Sequence, residues 1–314
     1  MKVAFLQSAG HGGAGSVPGM LMPMPPTGEQ FEIRSGTTRA TVTEVGAGLR
    51  AFTVDGRPFV ETFDVDVRPP RGAGCVLVPW PNRTAGGRWT WDGAPQQLAL
   101  TEPAAGNAIH GLLRHTLYRP DDQTPDAITL RAVIAPQPGW PVPLETSVRY
   151  SVDDAGLTVT HTVHNVGRAA VPFGIGAHPY LRAGAAETDD CTLTLAATTA
   201  LPLDGGLPTG PATPLDSAVF PLRGASLDHA FGGCVPTDGR VRHVLDGPDG
   251  AAELWADPAF GWVQVFTSSD HPGRGRAVAV EPMTCPPDAL NSGVDLLGVA
   301  PGETWTGRWG VAPR

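Results

Sequence analysis

The sequence predicts an all-β fold, one large antiparallel β-sandwich, and three observations carry that prediction. The chain has 40 glycines and 33 prolines, nearly a quarter of its 314 residues. Proline removes a backbone donor and glycine loosens the chain, so long helices are disfavoured. No segment keeps a 3.6-residue apolar period beyond two turns. Short runs of alternating apolar and polar residues recur instead, separated by Asp-Gly and similar turns, as in many-stranded sandwiches.

Taken in order, residues 1–30 carry no strand or helix pattern and are expected to form a disordered leader, leaving 31–314 as a single domain. Lys2 followed by Val3-Ala4-Phe5-Leu6 begins like a signal peptide, but Gln7 and a glycine run end the apolar stretch too early. Cytoplasmic residence is therefore expected. From about Thr37 strands begin, with Thr41, Thr43 and Val45 alternating against Val42 and Glu44. Phe52 and Val54 lead into the hairpin dipeptide Asp55-Gly56, and Phe59 and Val60 follow it. Trp89 and Trp91 share one face of a short strand that turns at Asp92-Gly93.

The clearest hairpin spans 145–166. Val148, Tyr150 and Val152 lie on one face, Asp153-Asp154-Ala155-Gly156 turns, and Leu157, Val159, His161 and Val163 return. The other face of the return strand, Thr158, Thr160, Thr162 and His164, is polar, as expected when one side of a sheet meets water. Further strands are expected at 127–134, 192–196, 251–255, 263–267 and 277–281.

The formal charge of −9 argues against a nucleic-acid partner, which needs a basic stripe. No run approaches eighteen apolar residues, so no membrane-spanning helix is expected. Lys2 is the only lysine, which excludes Schiff-base chemistry within the folded core. Cys75, Cys191, Cys234 and Cys285 show no Cys-x-x-Cys spacing and read as free thiols. A monomer is the expected state.

Five stretches place polar groups where a sandwich wants apolar ones. They are Val78-Pro79-Trp80-Pro81-Asn82-Arg83, Asn107-Ala108-Ile109-His110-Gly111, Phe173-Gly174-Ile175-Gly176-Ala177-His178-Pro179-Tyr180, Leu227-Asp228-His229-Ala230-Phe231, and Val278-Ala279-Val280-Glu281-Pro282-Met283-Thr284. Glu281 closes a buried apolar run, and a buried carboxylate needs partners or a task. The plainer alternative is a salt bridge to an arginine, although buried ion pairs stabilise poorly in themselves. His178 follows small residues that permit close approach, and Pro179 keeps it out of helical geometry. His115, His161, His164, His243 and His271 lack such settings.

These stretches, in this order, resemble the aldose 1-epimerase (galactose mutarotase) family from about residue 37 to the end. The Pro-Trp-Pro-Asn-Arg form is similar to a bacterial branch of it. The resemblance implies a twisted β-sandwich with an open sugar-binding cleft, no metal and no organic cofactor. By motif it implies Glu281 as general base, His178 as general acid, and His110 as a second active-site histidine. It implies Arg83 and Asp228 as holders of sugar hydroxyls. An aromatic ring is expected against the sugar's apolar face, with Trp80 and Phe231 as candidates.

The residue types suit such chemistry. Anomers interconvert when the hemiacetal opens, C1–C2 rotates and the ring closes on the other face. That requires a proton taken from the C1 hydroxyl and one given to the ring oxygen, work for a carboxylate and an imidazolium expected on opposite sides of the ring. Other readings stay open on the residues alone. Asp228 and Glu281 could be the paired carboxylates of a glycoside hydrolase, and His110, His178 and Glu281 an iron site. The cleft could bind sugar without turnover, or serve a phosphorylated or sulfonated hexose through Arg68, Arg71, Arg83 and Arg88.

Overall fold

The computed structural model of the protein describes residues 24–314, so residues 1–23 of the leader expected at 1–30 lie outside the described residues. Residues 27–30, expected in that leader, belong to the fold instead. Thr27 is fully buried, its carbonyl accepts the Val45 amide, and the first strand is Gln30–Ser35.

Two large antiparallel sheets form the sandwich. One has nine strands, with Ala127–Ile134, Leu144–Asp153, Gly156–Asn165, Thr304–Pro313, Gly250–Ala256 and Val241–Gly247 side by side through its centre. The expected hairpin forms with Val148 opposite His161 and Tyr150 opposite Val159. Burial alternates along Leu144–Asp153, as for a strand with one face in the core. The other sheet has eight strands. Asp228–Gly232, Trp262–His271, Gly275–Met283, Gly176–Ala177 and Val76–Leu77 are neighbours in that order, and Tyr180–Leu181 also pairs with Gly275–Met283. A four-stranded sheet beginning with Gln30–Ser35 leans on Leu144–Asp153 and Ala127–Ile134.

Strand Thr304–Pro313 is not among the strands expected from sequence, because Gly307 and Gly310 interrupt its apolar alternation. The second glycine has a packing reason: a Cβ at Gly310 would stand 2.1 Å from the Leu157 carbonyl oxygen on the adjoining strand. The α-helix among the described residues, Ala289–Ser292, has four residues. None there is long and apolar enough to cross a membrane. All four cysteines are buried and unpaired.

The position of the functional cleft follows from one strand. On Gly275–Met283, Val278 and Val280 enter the main core with Val263 and Val265 of the neighbouring strand. Side chains alternate between faces, so Ala277, Ala279, Glu281 and Met283 point the other way. There Ala277 and Ala279 pack with Phe63, Ala73 and Tyr180, and Met283 packs with Leu201, Ala230 and Trp262. Glu281 falls between these two apolar clusters, on the face turned away from the main core.

Candidate active site

The neighbours of Glu281 are set by strand register. On one side Gln264 is its direct partner. On the other, Gly176 pairs with Met283 and Tyr180 with Ala279; the same register brings His178 opposite Glu281. Proline at 179 keeps this segment extended, and the Pro179 carbonyl accepts the Val280 amide. The result is a contact of 3.3 Å between His178 Nε2 and Glu281 Oε1.

Both groups are almost wholly enclosed, Glu281 at 2% exposure and His178 at 4%. Among the described residues, Glu281 Oε2, His178 Nδ1 and Gln264 Oε1 are buried without hydrogen-bond partners. Burial, and then the nearby Asp228, raises the Glu281 carboxyl well above its ordinary value, against a smaller opposing pull from Arg83. Burial likewise lowers the His178 imidazole to about 4. Burial thus favours the neutral forms, an acid beside an imidazole, over the carboxylate and imidazolium that the residue types suggested. The two groups also touch, whereas the sequence reading set them on opposite sides of a ring.

Arg83 and His110 arrive together. Arg83 and Thr84 pair with Ile109 and Ala108, so the first two motifs form one ribbon. Glu102 grips Arg83 in two hydrogen bonds, Nε to Oε2 at 2.8 Å and Nη2 to Oε1 at 2.9 Å. Asp288 holds the loop behind it: its amide donates to the Arg83 carbonyl and its Oδ1 accepts the Ala85 amide. That gives the Asp288-Ala289-Leu290-Asn291 segment a positioning role. His110 and Gly111 both have left-handed backbone, with φ of 62° and 72°. A Cβ at Gly111 would lie 2.0 Å from the Val78 carbonyl oxygen, so the Ile-His-Gly motif is a backbone requirement as much as a chemical one.

His110 is locked in one tautomer. The Asn82 amide donates to its Nδ1 at 3.2 Å, so that nitrogen holds the lone pair, and burial keeps the ring neutral. The proton must therefore sit on Nε2. Donor atoms of His110, His178 and Glu281 do lie within 4.8 Å of one another, the grouping raised above as an iron site. A metal would need a free lone pair on His110, yet one nitrogen is occupied by the Asn82 amide and the other carries hydrogen. These residues do not fit a metal centre, and His110 presents an N–H at Nε2.

Together these groups line a cleft of about 370 Å³. Its floor is His110, His178, Gln264 and Glu281; Arg83 and Asp228 stand at its sides. Asp228, 47% exposed at its side chain, lies 4.0 Å from Arg83 and accepts Gln264 Nε2 at 2.6 Å. Glu281, His178, His110, Arg83 and Asp228 thus come together at one cleft. Trp80 does not. It is buried in the main core, its ring 6.0 Å from that of Trp140, and Phe231 is buried in the same core. The aromatic side chain in the cleft is Phe266. Arg88 sits on an exposed hairpin near Gln97.

The sequence reading missed Glu102, Gln264 and Phe266. Gln264 carried a signal, since Trp262-Val263-Gln264-Val265-Phe266 is an apolar run with a polar centre, the same logic that marks Glu281. Glu102 stands in a loop with no periodicity and reaches the cleft only through tertiary structure.

The family model for aldose 1-epimerases matches residues 29–311. The chain is 32% identical over 286 residues to the uncharacterized protein YihR of Escherichia coli, covering 88% of this chain and 91% of that one. In fold it is similar to the GalM/aldose epimerase homologue from C. elegans, with a TM-score of 0.79 at 16% identity, covering 91% and 98% of the two chains. It is also similar to a galactose mutarotase-like protein from Clostridium acetobutylicum, with a TM-score of 0.78 at 14% identity, covering 90% and 94%. A match spanning nearly the whole folded chain places the protein in the aldose 1-epimerase family.

Proposed function

We propose that the protein is a cofactor-independent aldose 1-epimerase, interconverting the α and β anomers of a free hexose. The observation that carries this reading is the Glu281–His178 contact at the floor of a polar cleft, with Glu281 Oε2 left unpartnered. The C1 hydroxyl and the ring oxygen are both bonded to C1. Two proton-transfer groups in contact can therefore address both atoms from one side.

The pair shares one labile proton, which rests on Glu281. Sugar hydroxyls and the Arg83 charge favour the carboxylate once the cleft is filled, and the proton passes to His178. Glu281 Oε2 then takes the C1 hydroxyl proton as the C1–O5 bond breaks and the C1 carbonyl forms. His178 Nε2 gives its proton to O5. Rotation about C1–C2 and reversal of both transfers closes the ring on the other face, so each group serves as acid and base in turn. His110 donates from Nε2 to a sugar oxygen, while Arg83 and Asp228 hold hydroxyls. Phe266 offers a surface for the apolar face of the ring.

Proton NMR of freshly dissolved α-glucose and α-galactose tests the proposal. Wild-type protein should accelerate anomer exchange, and Glu281→Gln should leave it at the buffer rate. Sugar-dependent tryptophan fluorescence without acceleration would make the protein a sugar binder.

A further inference from the structure

No protein group holds the far side of the His178 ring. A proton-transfer histidine is ordinarily oriented by a carboxylate or carbonyl on its second nitrogen. Among the described residues, His178 Nδ1 is buried without a protein partner. Its Nε2 meets Glu281, the group with which the proton is exchanged, so that contact changes during the reaction and is no fixed support. Packing is left to set the plane of the ring.

Three surfaces supply that packing. Gly72 runs past the Cδ2 edge, where an added Cβ would stand 3.4 Å away. The His110 ring meets the imidazole edge-on, with centroids 5.5 Å apart and planes at 79°. The broad contact is Tyr180, whose ring stacks on the imidazole at 5.4 Å and 29°, within the range of an offset stack. The order His178-Pro179-Tyr180 produces it. Residues two apart on an extended segment share a face, and the proline keeps the segment extended. Tyr180 is braced in turn by the His271 ring at 5.1 Å and by Phe63, Ala73, Ala277 and Ala279.

The phenol hydroxyl has no share in this arrangement. It is buried without a protein partner among the described residues. Burial, and then Glu281, raises it far above its ordinary value, so it exchanges no proton. Tyr180 is not among the residues that line the cleft. Burying a hydroxyl that bonds nothing is costly, and the flat face is the part of this side chain that the site uses.

We infer that Tyr180 is a positioning residue, whose ring fixes the plane of the His178 imidazole so that Nε2 faces Glu281 and the sugar, in place of the hydrogen bond that Nδ1 lacks. Its effect on turnover rests on the mutarotase reading; the orientation of the ring can be read without any sugar.

The experiment measures anomer exchange of glucose and galactose by NMR for Tyr180→Phe and Tyr180→Leu, beside Phe63→Leu from the same apolar cluster, with a melting curve for each. Tyr180→Phe keeps the flat face and should hold kcat within about twofold. Tyr180→Leu should lower kcat by about 10- to 100-fold with KM within about threefold, the scale for a misplaced reacting group. Phe63→Leu should lose comparable stability at the wild-type kcat, which separates positioning from packing. Isotope-labelled histidine gives the second readout. At neutral pH, where the His178 ring is uncharged, its two nitrogens should keep distinct shifts in wild type and Tyr180→Phe. They should draw together in Tyr180→Leu as the ring turns, with the signals assigned by their loss in His178→Asn. Tyr180→Met, which fills space without a flat face, takes the place of the leucine variant if that does not fold. Wild-type kcat and distinct shifts in the leucine or methionine variant would overturn the inference. A phenylalanine variant as slow as either would move the role to the hydroxyl and overturn it too. An equal fall in kcat at Phe63→Leu would make Tyr180 a packing residue only. If the wild type exchanges neither sugar, the mutarotase reading falls, and the nitrogen shifts alone decide the inference.

Discussion

Glu61 and Glu281 are buried to nearly the same degree, at 3% and 2% exposure, but they keep opposite company. Glu61 meets Arg274 at 2.9 Å and Arg182 at 3.4 Å. Glu281 meets a neutral histidine through one oxygen and nothing through the other. The salt bridge weighed as the plain explanation for a buried carboxylate thus exists in this fold, at the other glutamate. Charge compensated by arginine ties elements together; charge left uncompensated is held ready for a proton.

The widest separation between the two should come from the same substitution at each. Glu281→Gln removes the proposed base while keeping shape, and turnover should fall by about 10²–10⁴-fold, the range for a positioned acid–base group. Its thermal stability should hold or rise. Glu61→Gln leaves two arginines without their partner and should cost about 3 kcal/mol, the scale of a broken buried pair. The folded fraction should still turn over at the wild-type rate. Melting curves and NMR exchange on both variants check this, and a stability loss at Glu281→Gln would make that residue a structural one.

A second separation lies in pH. Because the native Glu281 carboxyl is raised above 4.5, the native chain holds a proton there that the unfolded chain has released. From pH 4.5 upward this group makes stability fall as pH rises. Glu281→Gln removes that slope, so the melting-temperature gap between variant and wild type should widen as pH rises above 4.5. His161 acts in the opposite sense. Burial lowers it to about 3, so the unfolded chain gains a proton below 6.5 that the native chain refuses, and stability falls with falling pH. A gap that stays constant with pH would mean an ordinary ionised carboxylate at 281.

Much of this contrast was legible in the sequence, for physical reasons that can be named. The sandwich was readable because turn dipeptides and period-two alternation are local. Glu281 was readable because a charge closing an apolar run is anomalous wherever the strand lies. Gln264 carried the same anomaly more faintly, since an amide buries at lower cost than a carboxylate. Glu61 and Glu102 were not readable, because their arginine partners come from distant segments. Trp80 was misplaced because it is two residues from Asn82, while its ring turns into the core against Trp140.

Glu102 gives a smaller, sharper test of the arginine side of the comparison. It is the counter-ion that orients Arg83, as the arginines are for Glu61, but this pair lines the cleft. Glu102→Gln should loosen the guanidinium and raise KM by about tenfold, with kcat within about threefold, because a hydroxyl contact acts alike on ground and transition states. A large fall in kcat would instead place Arg83 in the proton transfer.

The smallest effect concerns the aromatics, where the two regions divide the roles the sequence had merged. Phe266 borders the cleft and Trp80 fills the core. Phe266→Leu keeps an apolar side chain but loses the flat face, and KM should rise about threefold to tenfold with little change in melting temperature. Trp80→Phe should do the reverse, lowering the melting temperature by leaving space beside Trp140 while KM stays within about twofold. A KM effect at Trp80 exceeding that at Phe266 would reverse the assignment. The stacking surface would then have to form by a rearrangement that brings the Trp80 ring out of the core.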